Sequence, residues 1–256
     1  MNVAYNMDCM EYMKTLPDNA FDLAVVDPPY GIGVMSMNYT TSGAVRTHGY
    51  AAASRRDYRK QGEWDVKPNR QYFDELFRVS TKQIVWGGNY FTDILPPSKS
   101  FIVWDKRVNN NMTNDFSDCE FAWASNGMGV ARMFRYCWNG MIQGNMKNKE
   151  ERFHPTQKPV ALYAWIYRNY AKPGMKILDT HLGSGSSRIA AWDAGLDFVG
   201  TEIDETYFNL QEERFKKHIA QGTIFDTEMD AQAEQISLLN AALNTKKPCY
   251  NDSVKM

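Results

Sequence analysis

The segment Lys176 to Thr201 constrains the fold most. Lys176-Ile177-Leu178-Asp179 is a short apolar strand that runs into Thr180-His181-Leu182-Gly183-Ser184-Gly185-Ser186-Ser187, after which Arg188-Ile189-Ala190-Ala191-Trp192 begins a helix. A second strand, Asp197–Thr201, follows and ends at Glu202-Ile203-Asp204. Strand, glycine-rich turn, helix and strand make a βαβ unit, and two strands joined this way lie parallel in one sheet. Further short apolar runs are predicted as strands at Asn2–Tyr5, Phe21–Val26, Gln83–Trp86, Phe101–Trp104, Glu120–Ala124 and Arg132–Trp138. Helical periodicity predicts Met10–Leu16, Arg70–Val79, Val160–Tyr170, Ser187–Ala194, Thr206–Ile219 and Asp230–Leu243. Alternation of the two types predicts an α/β fold on a mainly parallel sheet. At 256 residues with 43% hydrophobic and 23% charged side chains, the chain has material for one large core.

The glycine-rich turn is a ligand loop. Gly183 and Gly185 allow a tight turn and close approach of a ligand to backbone, and the helix N-terminus offers free N–H groups. Glu202, at the end of the next strand, is placed to bond a ribose diol. The third glycine of a dinucleotide fingerprint is replaced by Arg188, and no G-K-[ST] is present, so no pyrophosphate signature remains. An adenosyl ligand without phosphates suits the loop, and S-adenosyl-L-methionine is the candidate.

Phe21–Val26 ends at Asp27-Pro28-Pro29-Tyr30. Each proline fixes φ near about −65° and forces an extended residue before it. The turn is stiff, with a carboxylate at one end and an aromatic ring at the other. Asp27 and the Pro28 carbonyl can accept from an exocyclic –NH2 while Tyr30 stacks on the ring that carries it.

Together these motifs resemble amino-group DNA methyltransferases. Asp27-Pro28-Pro29-Tyr30 resembles their catalytic motif, and Asp179-x-x-x-Gly183-x-Gly185 their cofactor loop. The catalytic motif comes first, which resembles the circularly permuted β class. His154-Pro155-Thr156-Gln157-Lys158-Pro159 is similar to the segment that binds the methionine end of the cofactor, and Asn6-Met7-Asp8-Cys9 to the one that approaches its adenine. Trp86-Gly87-Gly88-Asn89-Tyr90-Phe91 and Trp104-Asp105-Lys106 resemble compact phage or prophage members.

The resemblance implies an α/β, class I methyltransferase (Rossmann-like) fold on a seven-stranded, mostly parallel sheet with one antiparallel strand near an edge. Its catalytic residues are Asp27, Pro28, Pro29 and Tyr30. It implies cofactor contacts from Asp8, Cys9, Asp27, Thr156, Lys158, Asp179, His181, Gly183, Gly185, Ser186, Ser187, Glu202 and Asp204. The family loop commonly reads Asp-Pro-Phe-x-Gly-Ser-Gly-Thr; here Thr180 and His181 stand for its Pro and Phe. Asp at the first catalytic position goes with adenine N6, with cytosine N4 or RNA adenine as alternatives. A protein-glutamine enzyme would show Asn before the prolines and the cofactor loop first.

Net charge is −1, so double-stranded DNA must be met by a local patch. Gly31 to Pro68 is polar and without periodicity, and carries Arg46, Arg55, Arg56, Arg59 and Lys60 among Tyr50 and Tyr58. This inserted loop is the candidate target-recognition element of a catalytic domain over 1–219, with a helix and tail over 220–256. Four scattered cysteines form no C-x-x-C pair, which argues against a zinc site or a disulfide framework. No metal, no membrane association and a cytoplasmic location are expected; a homodimer is an option the resemblance raises. Lys158 taken alone reads as a surface lysine, and Asp8 as the N-cap of the helix beginning near Met10.

Overall fold

The run Leu23–Val26 has no polar face because both of its faces are covered. In the computed structural model, which describes residues 1–32, 65–107, 117–139 and 142–222, Leu23 and Val25 enter one hydrophobic cluster and Ala24 and Val26 another. Such two-sided burial is what turns a strand pattern into a continuous apolar run. In chain order the elements are β1 (Asn2–Asn6), α1 (Cys9–Lys14), β2 (Phe21–Val26), α2 (Arg70–Val79), β3 (Ser80–Trp86), β4 (Ser100–Asp105), β5 (Cys119–Ala124), β6 (Arg132–Arg135), β7 (Trp138–Asn139), β8 (Ile142–Gln143), α3 (Val160–Tyr170), β9 (Lys176–Asp179), α4 (Ser186–Asp193) and β10 (Asp197–Glu202), with a 3-10 turn at Gly88–Tyr90. A further helix begins at 205.

The main sheet runs β1-β10-β9-β2-β3-β5-β4-β6, with β5 antiparallel to its neighbours and the other pairs parallel. Helices α3 and α4 cover one face, burying Leu162, Tyr163, Ile166 and Ala190 against Leu23, Ile84, Ile102 and Ile177. Helices α1 and α2 cover the other with Met13, Phe73, Leu76 and Val79. Trp86, Trp104 and Trp123 are buried. The architecture is the three-layer, mostly parallel sheet expected.

The sheet has one strand more than the seven expected. Strand β6 pairs parallel with the outer edge of β4, from Ile102↔Arg132 to Asp105↔Arg135, and so satisfies an edge that would be left bare. The predicted strand Arg132–Trp138 breaks in two because β4 ends at Asp105. Trp138 pairs instead with Gln143 in a separate two-stranded ribbon.

The chain divides into two compact units, Met1–Glu212 and Glu213–Met256; of the second, residues 213–222 are described and are helical. The predicted helix Asp230–Leu243 and most of the insertion, with Arg46, Arg55, Arg56, Arg59 and Lys60, lie outside the described residues. Among the described residues, no helix is long and apolar enough to cross a membrane.

Candidate active site

Parallel pairing carries the motifs to one edge of the sheet. Strand β1 ends beside β10, Asn6 opposite Glu202, and β2 lies beside β9 through Leu23↔Ile177 and Ala24↔Leu178. The carboxyl ends of β1, β2, β9 and β10 therefore deliver Asp8, Asp27, the glycine loop and Glu202 to a single cavity of about 660 Å³. Open α/β sheets bind ligands at this edge. Asp8, Cys9, Asp27, Pro28, Pro29, Tyr30, Thr156, Lys158, His181, Gly183 and Glu202 all line it.

The glycine loop is held from both sides. Gly183 (φ +51°) and Gly185 (φ +73°) adopt the left-handed conformation that favours glycine, and Gly185 is the residue ahead of α4. Glu202 is committed to backbone: Oε2 accepts from the Gly183 N–H at 2.8 Å and Oε1 from the Asp204 N–H at 2.9 Å. Each carboxylate oxygen retains a lone pair, so a ribose hydroxyl can still be accepted. Burial raises the Glu202 carboxyl above its ordinary range.

Five of the residues assigned to the cofactor stand behind the loop and do not line the cavity. Asp179 accepts from the His181 N–H at 3.1 Å and from the Ser187 hydroxyl, and burial pushes its carboxyl up to about 7. Ser186 lies 3.1 Å from the Ser184 hydroxyl, and Gly185 turns the chain into α4. Asp204 caps the helix over 205–222, accepting from Thr206 and Tyr207 N–H.

His181, where the family loop has Phe, is anchored by its neighbour. Its Nδ1 lies 2.9 Å from Thr180 Oγ1, which in turn lies 2.6 Å from the Tyr72 hydroxyl. Burial holds the imidazole neutral, with a pKa lowered to about 4. The same is true of His154, at about 3, whose ring packs edge-on to Tyr207 at 4.3 Å and lies next to Gly183. Asp8 is an N-cap as well as a cavity residue: its Oδ1 accepts from Met10 and Glu11 N–H. Cys9 is half-buried, and desolvation pushes its thiol up to about 12.

At the other end of the cavity the Asp27 carboxylate is gripped on both oxygens. The Tyr30 hydroxyl donates to Oδ1 at 2.7 Å and the Lys158 ammonium to Oδ2 at 2.5 Å. Lys158 is not a surface lysine; its side chain is 3% exposed, and its ammonium lies over the Trp86 and Tyr30 rings, 5.4 and 5.8 Å from their centroids. Burial pushes the Asp27 carboxyl up, and Lys158 pulls against that shift. The Tyr30 ring stacks on Tyr90 at 4.9 Å and 19°, so one of its faces is taken.

Gly87 is what lets Tyr30 lie there. At φ +67° a β-carbon on Gly87 would meet Tyr30 Cε1 at 2.1 Å. Gly87→Ala is expected to cost about 1–3 kcal/mol of stability and to displace Tyr30. A lower melting temperature together with loss of the Tyr30–Asp27 bond in the variant's structure would check this.

Sequence reasoning missed Glu120, Lys106 and Tyr72. Glu120 lies 3.2 Å from Lys158 and 3.0 Å from Lys106. Its only local signal is a charge at the end of an otherwise apolar strand, and nothing local says which edge that end occupies.

Residues 103–213 match the model of the N6/N4 DNA methylase family. The chain is 24% identical over 261 residues to the Type II methyltransferase M.HinfI of Haemophilus influenzae, covering 85% of this chain and 69% of that one. It is 22% identical over 250 residues to the Type II methyltransferase M2.MboI of Moraxella bovis, covering 82% and 86%. Among solved structures, M1.HpyAVI in complex with SAM aligns with a TM-score of 0.51 at 19% identity, over 84% of this chain and 100% of that one. The cytosine-N4-specific PvuII DNA methyltransferase aligns at 0.52 and 11% identity, over 85% and 91%. The chain thus has the class I methyltransferase fold and is similar to DNA methylases in its sequence.

Proposed function

We propose that the protein is an S-adenosyl-L-methionine-dependent DNA methyltransferase that acts on adenine N6 in double-stranded DNA, flipping the target base into the cavity. The observation that carries this reading is the Asp27–Tyr30 turn and the Gly183–Glu202 loop facing one cavity. That cavity, at about 660 Å³, has room for a nucleoside cofactor beside a base. Similarity to Type II methyltransferases supports DNA as the substrate and a place in restriction–modification. Asp rather than Ser at the first catalytic position supports adenine.

The donors fit an adenosyl group. Glu202 has spare acceptor capacity for a ribose hydroxyl, Asp8 and Cys9 are assigned to the adenine by resemblance, and all of them line the same cavity as Thr156 and His181. S-adenosyl-L-methionine bound there supplies a methyl group activated by a sulfonium. Asp27 and the Pro28 carbonyl accept the two N–H bonds of the target amine. This localises the nitrogen lone pair and places a carboxylate beside the positive charge that develops on nitrogen. The substituted ammonium is acidic and sheds a proton without a strong base. Base flipping costs a few kcal/mol, and stacking against an aromatic ring such as Tyr30 offsets part of it. Arg46, Arg55, Arg56, Arg59 and Lys60 are proposed to hold phosphates, within an insertion over Gly31–Pro68 that recognises the target.

The test is mass spectrometry of nucleosides from unmethylated duplex DNA incubated with the protein, with and without S-adenosyl-L-methionine. Cofactor-dependent N6-methyladenine is the expected result. N4-methylcytosine would keep the mechanism and overturn the base assignment. Methylation of RNA alone, or of nothing, would overturn the DNA reading.

A further inference from the structure

Asp27 does not have its counter-ion to itself. Lys158 Nζ lies 2.5 Å from Asp27 Oδ2 and 3.2 Å from Glu120 Oε2, and Lys106 lies 3.0 Å from the other Glu120 oxygen. The four side chains form a row of alternating charge in which Lys158 is 3% exposed, so solvent screens its contacts weakly. The row exists because β5 runs antiparallel to β3 and β4. Its first residues, rather than its last, reach the edge that holds Asp27.

An ammonium paired with Asp27 alone works against amine methylation. It neutralises the carboxylate that must accept the target N–H, and it repels the positive charge that develops on nitrogen. A second carboxylate on the far side of the ammonium opposes both effects. We propose that Glu120 is a positioning residue for methyl transfer: it shares the Lys158 ammonium with Asp27, so that Asp27 remains a strong acceptor for the target amino group. The inference rests on the methyltransferase reading and adds to it a residue outside every motif.

The groups facing Asp27 come from each element around it. Tyr30 lies on its own turn, Tyr72 on α2, Glu120 on β5, Lys158 ahead of α3, Tyr163 on α3 and Asp179 at the end of β9, while Lys106, after β4, meets Glu120. Burial raises the three tyrosines, which stay neutral. Burial pushes the Asp179 carboxyl up to about 7, and neither substitution removes one of its hydrogen-bond partners, Ser187 and the His181 N–H. Lys158 and Glu120 are the charges that differ, with opposite signs: Lys158 pulls the Asp27 carboxyl down and Glu120 pushes it up.

The experiment compares kcat against pH for duplex-DNA methylation by the full chain and by Glu120→Gln and Lys158→Met. The Asp27 side-chain carboxyl is also titrated by carbon NMR in the ligand-free proteins. Glu120→Gln is expected to move the acidic limb and the Asp27 titration to lower pH while lowering kcat about tenfold. Lys158→Met is expected to move both to higher pH. A structural role for Glu120 would reduce the folded fraction and leave the Asp27 titration where it was. A Glu120→Gln limb that stays in place, or moves up, overturns the proposal. If Lys158→Met does not fold, the sign of the Glu120→Gln shift alone decides. A wild-type protein that methylates no DNA overturns the functional reading instead, and the NMR titration still decides whether the ammonium is shared.

Discussion

Alanine at Asp27 is expected to reduce single-turnover methyl transfer by roughly 10²–10³-fold, the scale of losing one preorganised polar contact in a water-poor site. The carboxylate is the group that can accept from the target amine and sit beside its developing charge. Its removal also frees the Tyr30 hydroxyl and one side of Lys158, which keeps Glu120. Cofactor affinity should change far less than the rate, because Glu202 and the glycine loop, the proposed ribose and cofactor contacts, belong to β9, α4 and β10 rather than to β2. Rapid-quench measurement of the chemical step at saturating cofactor, beside calorimetric titration of cofactor, separates the two effects. A variant within about threefold of the wild-type rate would remove Asp27 from the chemistry.

Asp179→Asn is expected to change stability in a pH-dependent way. The Asp179 carboxyl titrates near 7 in the fold against an ordinary 3.8, because burial disfavours its charge and because Asp27 and Glu202 add negative potential. A carboxyl raised on folding binds more protons in the folded state. Its stabilising contribution is complete below pH 3.8 and is lost as pH rises through about 7. The span corresponds to about 4 kcal/mol at most. Asn keeps an acceptor for the His181 N–H and a donor for the Ser187 oxygen, so the loop should survive. Urea unfolding across that window should show wild type losing stability relative to Asp179→Asn as pH rises. A difference that is constant with pH would mean that Asp179 is ionised throughout.

Strand and helix positions were legible where local pattern and tertiary environment agree. Phe21–Val26, Arg70–Val79, Val160–Tyr170 and Lys176–Asp179 have the bounds that their patterns indicate. Each is apolar where a neighbour covers it and ends where a proline, a glycine or a polar residue stops it. Arg132–Trp138 misleads for the converse reason. Its pattern continues through Tyr136, but a strand lasts only as long as its partner, and β4 stops at Asp105.

The site divides in the same way. Gly183 and Gly185, the stiff Asp27–Tyr30 turn and the acid at Glu202 are local chemistry written in consecutive residues, and the sequence alone identifies them. Lys158 is visible in sequence only through family resemblance, because nothing in its neighbours marks it as buried. Glu120 is invisible there, since its partner Lys158 is far along the chain and the contact depends on β5 entering the sheet antiparallel between β3 and β4. Which residues can turn, accept and stack follows from local chemistry in the chain. Strand order and direction alone decided which charges meet across the sheet edge, because electrostatic pairing at 3 Å is set by the path of the whole chain rather than by any local run.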